Sequence, residues 1–304
     1  MTVGRSEFVW GVKTYVMAAL NVTPDSFSGD GVMARTAHHS SRVEVKRVAP
    51  PTPVAKDRKW IQAAVDCALR FEDEGADIID IGGESTRPAV VYPDAKPVSA
   101  IDEMARVLPV IAALKGRLSA PMSIDTQKAE VARAAAGEGV SLLNDVSMLG
   151  DPAMAAVAAE TGLPIVISHV RAKARYRDVV VDVASDLSGA VAIAERVGVQ
   201  RGRIILDPGI GFAKNAGHSL EVLRRLGELR GLGFPLLVGP SRKSFIGTVL
   251  DLPVDKRLEG TAATVALAIA NGADLVRVHD VQAMVRVALM ADALVRGWQP
   301  KVSQ

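Results

Sequence analysis

A series of polar strings, far apart along the chain, holds the side chains able to do chemistry. Asn21-Val22-Thr23-Pro24-Asp25-Ser26-Phe27-Ser28 follows an apolar run directly, is rich in amides and hydroxyls, and is stiffened by Pro24, so it reads as a ligand loop. Gly82-Gly83-Glu84-Ser85-Thr86-Arg87-Pro88 sets glycines, which let backbone approach a ligand closely, beside hydroxyls and an arginine suited to phosphate oxygens. Asp125, Asn144 and Asp207 each end a different apolar run, with no His-x-His or cysteine-rich spacing that would bind zinc. They serve better as hydrogen-bond acceptors. A carboxylate meets an amidine-like N–C–NH2 edge with parallel hydrogen bonds, so Asp and Asn together suit a guanine-like or pterin-like ring. Ser241-Arg242-Lys243-Ser244 and Arg277-Val278-His279-Asp280 add cations and donors. Alternate residues of a strand point to one side, so Arg277 and His279 can grip one oxyanion, while Asp280 is expected to partner His279 or cap a helix. No Ser-His-Asp or Cys-His nucleophile is evident, which leaves electrostatic stabilisation as the main chemical resource.

These strings need a scaffold that gathers them, and the hydrophobic periodicity supplies one. Short β-type runs at Tyr15 to Leu20, Ile78 to Ile81, Met122 to Ile124, Ser141 to Leu143, Pro164 to Ser168, Arg203 to Leu206, Pro235 to Val238 and Leu275 to Val278 alternate with segments of helical period. One helix candidate, Ile61 to Glu74, has an apolar stripe of Ile61, Ala64, Val65, Ala68 and Leu69, with Gly75 to stop it. Another, Gln127 to Glu138, has Thr126 as its expected N-cap. Parallel neighbours need a long crossover, so eight strand–helix units imply an α/β fold closed as a (β/α)8 TIM barrel, a single domain over residues 1–304. An open doubly wound sheet is the alternative, but no Gly-x-Gly-x-x-Gly follows the first run. The C-terminal strand ends of a barrel converge on one mouth, where such barrels do their chemistry. Here those ends are Asn21, Glu84 to Arg87, Asp125, Asn144-Asp145, His169, Asp207, Arg242-Lys243, and Arg277 with His279. Asp, Asn, Ser and Thr in such places also cap helices and form turns, whereas Lys, Arg and His do not cap a helix N-terminus.

Composition narrows the classes further. Hydrophobic residues make up 49% of the 304-residue chain and aromatics only 4%, which favours aliphatic packing over disorder or a disulfide scaffold. A net charge of +2 announces neither a nucleic-acid partner nor a polybasic membrane partner, and no apolar run is long enough to span a bilayer. The single cysteine, Cys67, excludes an intrachain disulfide, fits a reducing cytoplasm, and falls on helical spacing that places it in the core. Val9 to Leu20 lacks the pattern of a secretory signal.

Taken in order from the first run to the last, Asn21 to Ser28, Asp80 to Pro88, Ser123 to Thr126, Leu143 to Asp145, Asp207-Pro208-Gly209-Ile210-Gly211-Phe212, Ser241 to Ser244 and Arg277 to Asp280 resemble the motifs of the dihydropteroate synthase family. The resemblance covers nearly the whole chain. It implies a transferase of folate biosynthesis that joins a pterin diphosphate to p-aminobenzoate by a dissociative path, with Mg2+ as cofactor and a homodimeric assembly through helices near the chain's end. It implies that Asp125, Asn144, Asp207 and Lys243 hold the pterin ring, with Arg277 beside it. Asn21, Arg87, Arg277 and His279 would handle the diphosphate, Asn21 through the metal. Thr86, Pro88, Phe212, Lys243 and Ser244 would border p-aminobenzoate, and Asp125, Asp207, Lys243 and Arg277 would carry the catalysis. Two other readings stay open on sequence alone: a pterin-binding methyltransferase barrel, for which the diphosphate grip has no use, and a non-catalytic pterin-binding paralogue.

The chain departs from the family in three loops. Val32 to Lys59 is a long insertion in the first βα loop, and residues 31–60 hold seven Lys or Arg against Glu44 and Asp57. It is expected to act as a basic lid that gathers anionic substrates or to be a solvated insertion. The second loop, Pro88 to Pro97, lacks the family's glycine after the proline, and sulfonamide response is expected to change with it. After His169, the cations of Val170 to Tyr176 are expected to lie in a solvated loop, and His169 itself to serve either the site or a core hydrogen bond.

Overall fold

The computed structural model describes residues 1–22, 59–84 and 98–298. All eight apolar runs become strands of one parallel sheet: β1 (Tyr15–Asn21), β2 (Ile78–Gly82), β3 (Met122–Asp125), β4 (Leu142–Asp145), β5 (Ile165–Ser168), β6 (Ile204–Asp207), β7 (Leu237–Val238) and β8 (Leu275–Val278). The order is β6-β5-β4-β3-β2-β1-β8-β7, and a parallel bridge between Leu206 and Leu236 joins the two ends, closing the barrel expected from the repeat.

Helices cover the outside. They are α1 (Lys59–Asp73), α2 (Ala100–Leu114), α3 (Ala129–Glu138), α4 (Met154–Thr161), α5 (Val179–Arg196), α6 (Ala216–Arg224), α7 (Ser244–Leu250), α8 (Leu258–Ala270) and α9 (Val281–Val295), with a further turn at Leu226–Leu229. In α1 the deepest side chains are Trp60, Ala64, Val65, Ala68 and Phe71, so Ile61 and Leu69 of the expected stripe flank the contact and the two aromatics fill it. Gly75 does end the helix, at φ +98°. Cys67 packs partly buried against the core. Thr126 does not cap α3: its Oγ1 accepts from Lys128 N, and Asp151 Oδ2 accepts from Ala129 N at 2.8 Å instead. That helix starts at Ala129, two residues later than expected, because its cap comes from a loop 22 residues away.

The pleat sorts the strand residues into two shells. Val16, Ala18, Leu20, Ile79, Ile81, Leu143, Ile167, Leu206 and Val276 point outward to the helices and form the large core. Tyr15, Met17, Ile78, Leu142, Val166, Ile205, Leu237 and Leu275 point inward and fill the N-terminal end of the barrel. An antiparallel ribbon, Thr2–Val3 with Ser6–Glu7, plugs that end with Val3 and Phe8. Phe8 stacks on Tyr15 at 4.4 Å between ring centres, and Tyr15 Oη accepts from Val9 N at 2.7 Å. Among the described residues no helix is long and apolar enough to cross a membrane.

Candidate active site

Two residues further along the same inward faces, the side chains change character. Asp80, Ser123, Asn144, Ser168, Asp207 and Arg277 occupy the next rung toward the C-terminal mouth, and Asp125 follows Ser123 one pleat further on. Register brings them together: Asp80 lies opposite Ser123, Asp125 opposite Asn144, and Ser168 opposite Asp207.

Asp80 organises this rung. Fully buried, it accepts from Ser123 Oγ at 2.5 Å, Asn144 Nδ2 at 3.0 Å and Arg277 Nε at 2.6 Å. Arg277 Nη2 donates onward to Asp125 Oδ2 at 2.8 Å. One guanidinium thus bridges two carboxylates that would otherwise sit in the barrel without a paired cation. Burial opposes the charge on Arg277, but Asp80 and Asp125 outweigh it and raise its pKa. The Asp125 pKa is raised as well, from 3.8 to about 7, here by burial first, with Arg277 opposing and Asp80, Glu103 and Asp145 adding to the rise.

Two acceptors remain free here. Asp125 Oδ1 and Asn144 Oδ1 are buried and have no hydrogen-bond partner among the described residues. Oxygens of this kind carry a desolvation penalty until a donor reaches them, so the pair marks where a ring with N–H groups is recognised.

On the neighbouring arc, Asp207 Oδ1 accepts from Gly209 N at 2.7 Å and Oδ2 from Ser168 Oγ at 3.3 Å. Burial raises its pKa, with Lys243 opposing. Lys243 precedes α7, its Nζ donating to the carbonyl of Ile210 and lying 4.3 Å over the Phe212 ring. Burial pushes Lys243 down to about 8, while Asp207 and Asp125 pull it up and Arg277 adds to the fall. Gly211 makes this approach possible: at φ +80°, a Cβ there would sit 3.0 Å from Lys243 Cδ. Asp125, Asn144, Asp207, Lys243 and Arg277 therefore form one polar group inside the mouth, as the sequence reading required.

The other expected residues divide. Asn21, at the end of β1, and His279, just past β8, line a cavity of about 480 Å³ together with Arg242, Asp280 and Arg70. His279 bonds Ser241 Oγ through its amide at 3.2 Å and Nδ1 at 3.0 Å. Arg277 and His279 accordingly have different partners here, one committed to carboxylates and the other to a hydroxyl. Asp280 pairs with Arg242 through both carboxylate oxygens, not with His279, and makes no side-chain cap on α9. Ser244 begins α7, exposed beside Lys243. Thr86, Arg87, Pro88 and nearly all of the 32–59 insertion lie outside the described residues. At the base of the second loop, Glu84 Oε1 accepts from Val98 N at 2.9 Å, and Lys128 bridges Glu84 to buried Glu103.

Some residues here were not singled out from the sequence. Asp80 sits within an apolar run rather than after it, although a carboxylate at an inward position was itself the signal. The cations after His169 are not simply solvated: Arg171 binds Asp186 at 2.5 Å and Asp182 at 3.2 Å and lies 4.7 Å over Tyr176. His169 is fully buried, between Asp186 at 3.0 Å and Lys214 at 2.8 Å, and burial and Lys214 hold its pKa down at about 4. Asp145 faces away from the rung and closes a turn, accepting from Ser147 N and Leu149 N.

Residues 55–279 match the model of the pterin binding enzyme family. A dihydropteroate synthase of Synechocystis sp. is 44% identical over 97% of this chain and 95% of its own length. A Clostridium difficile dihydropteroate synthase, crystallised in the presence of pteroic acid, superposes with a TM-score of 0.82 at 41% identity, covering 95% of this chain and 100% of that one. A Xanthomonas albilineans dihydropteroate synthase with 4-aminobenzoic acid superposes at 0.79 with 37% identity, covering 93% of each. With its barrel, its polar rung and its sequence all in agreement, the chain belongs to the dihydropteroate synthase family of pterin-binding enzymes.

Proposed function

We propose that this chain condenses 6-hydroxymethyl-7,8-dihydropterin diphosphate with p-aminobenzoate, giving 7,8-dihydropteroate and pyrophosphate in the cytoplasm. The observation that carries the reading is the pair of buried, unpartnered acceptors, Asp125 Oδ1 and Asn144 Oδ1, set within reach of charge from Lys243 and Arg277. A pterin presents the N–H edge that such acceptors need.

The chemistry follows from charge. The C–O bond to the diphosphate breaks with its electron pair leaving on oxygen, and the pterin methylene is left as a resonance-stabilised cation. The arylamine nitrogen then forms the new C–N bond and releases its proton. Asp125 and Asp207 orient the ring and favour its cationic form, Asn144 and Lys243 complete its edge, and Arg277 balances the carboxylates alongside. Asn21, Arg87, Arg277 and His279 take the diphosphate, while Thr86, Pro88, Phe212, Lys243 and Ser244 border the benzoate.

The donor set fits magnesium. Asn21 offers one neutral oxygen at the edge of the cavity it shares with His279, and among the described residues no group of three His, Cys, Asp or Glu could cage a metal. Mg2+ commonly takes only one or two protein ligands and completes its shell with phosphate oxygens and water. When bound, it supplies positive charge to the departing diphosphate.

A homodimer is part of the same reading. Leu267 on α8 and Leu289, Met290 and Leu294 on α9 are all more than half exposed, which supports association through these last helices.

The test is pyrophosphate release from pterin diphosphate, Mg2+ and p-aminobenzoate. The wild-type chain is expected to sustain that release over many turnovers only when all three are present; no release with all three would end the synthase reading. Asp207→Asn keeps the shape but removes the charge, and is expected to lose about 100-fold or more in turnover with an unchanged circular dichroism spectrum. Wild-type turnover in that variant would remove Asp207 from the site.

A further inference from the structure

Behind the Asp207 carboxylate sits a cluster of titratable groups that the condensation does not use. Lys214, only 8% exposed, lies at its centre. Its Nζ donates to His169 Nδ1 at 2.8 Å, to Gly209 O at 3.1 Å and to Phe212 O at 3.3 Å. His169 Nε2 meets Asp186 Oδ2 at 3.0 Å; a carboxylate only accepts, so the ring proton is on Nε2 and Nδ1 is the acceptor. Three acceptors thus surround Nζ, one for each N–H of the ammonium form, while burial pulls its pKa down to about 7 against the pull of Asp207. Asp186 is held in turn by Arg171, and Tyr176, under the Arg171 guanidinium, donates to Ala213 O at 3.1 Å.

The two carbonyl acceptors belong to the turn after β6. Gly209, held by Lys214 through its carbonyl, holds Asp207 Oδ1 through its amide at 2.7 Å. The turn is also wedged against the end of β5: at φ +66°, a Cβ on Gly209 would lie 1.9 Å from His169 O. Phe212, the second carbonyl, presents its ring to Lys243 at 4.3 Å.

We propose that Lys214 is a positioning residue: braced by His169 and Asp186, it holds the 207–212 turn in the shape that aims the Asp207 carboxylate and the Phe212 ring at the substrates. Its kinetic consequence rests on the synthase reading above. Its structural consequence does not. Methionine at this position keeps the length and apolar stem of lysine but donates nothing, so the two carbonyls and His169 Nδ1 lose their common donor.

Two measurements test this. Hydrogen exchange of ligand-free Lys214→Met reads the turn directly, and amides at 207–212 are expected to exchange about tenfold faster or more, with β1 to β4 unchanged. Steady-state kinetics reads the consequence: kcat falls about 100-fold, as a small misplacement of a reacting group does. KM for p-aminobenzoate moves less, because Asp207 matters most once the ring is cationic. His169→Asn keeps an acceptor oxygen near the place of Nδ1 and is expected to stay within about tenfold of wild type, whereas His169→Leu behaves like Lys214→Met. The His169 pair carries the test if Lys214→Met does not fold. A wild-type chain that releases no pyrophosphate would end the synthase reading, while the exchange experiment would still decide the turn. Unchanged exchange at 207–212 in folded Lys214→Met, or equal losses in the two His169 variants, would overturn the proposal.

Discussion

The same strands build two rungs inside the barrel. Ile78 and Asp80 on β2, Leu142 and Asn144 on β4, Val166 and Ser168 on β5, Ile205 and Asp207 on β6, and Leu275 and Arg277 on β8 are pairs of inward residues one pleat apart. The lower member of each pair is an aliphatic side chain packed against its neighbours and the Phe8 plug, where full burial stabilises by about 1.5–3 kcal/mol per residue. The upper member is polar or charged, and its burial costs free energy that Arg277 and the hydrogen bonds to Asp80 only partly offset, since two acceptors stay unpartnered. Backbone geometry decides which residues face inward. Residue type alone decides whether an inward position holds the barrel together or recognises a ligand.

The comparison breaks hardest at Arg277. Arg277→Met leaves Asp80 and Asp125 buried without their cation, and the expected loss is about 3–5 kcal/mol in chemical denaturation above neutral pH, together with synthase activity. The loss shrinks in mild acid, where Asp125 becomes protonated; equal destabilisation in acid and base would mean the guanidinium does not compensate Asp125. On the lower rung, Leu142→Ala deletes a fully buried side chain and is expected to cost about 3 kcal/mol, within the range for such cavities, while kcat and KM per folded molecule stay at wild-type values. A changed KM in that variant would mean the two rungs are not separable.

What could be read from the sequence follows the same division. All eight strands were visible because each is a short apolar run, and the mouth residues were visible where a polar group directly follows such a run, as with Asp125, Asn144 and Asp207. Asp80 was harder because it interrupts the apolar run Ile78 to Ile81, so local hydrophobicity masked its inward position. Side-chain partners were less legible still. Arg242 meets Asp280 across 38 residues and Lys214 meets His169 across 45, distances over which no periodicity carries information. Arg171 is an intermediate case: Asp182 and Asp186 lie one turn apart on α5, so a cation just upstream had a carboxylate face to meet. The N-terminal ribbon, two residues per strand, is too short to leave any pattern.

The subtlest difference between the rungs is in their response to pH, and it centres on Asp125. Its pKa rises from 3.8 to about 7, chiefly through burial. For folding, a carboxyl with a raised native pKa binds more protons folded than unfolded, so its contribution is most favourable in acid and is lost as pH climbs from its unfolded value to about 7. For recognition the sign reverses, because a ring that donates N–H groups needs the carboxylate. Pterin affinity is therefore expected to fall about tenfold per unit as pH drops below that midpoint and to level off above it, which titration calorimetry can follow. The slope should vanish in Asp125→Asn. In any Arg277→Met chain that remains folded the midpoint should move up, since Arg277 is the group that opposes the rise. The lower rung has no carboxyl or amine to titrate, so Leu142→Ala should lower stability by a constant amount while leaving this affinity curve in place. Affinity that is flat with pH in the wild-type chain would mean that Asp125 does not receive the ring's protons, and that the polar rung is structural at that position.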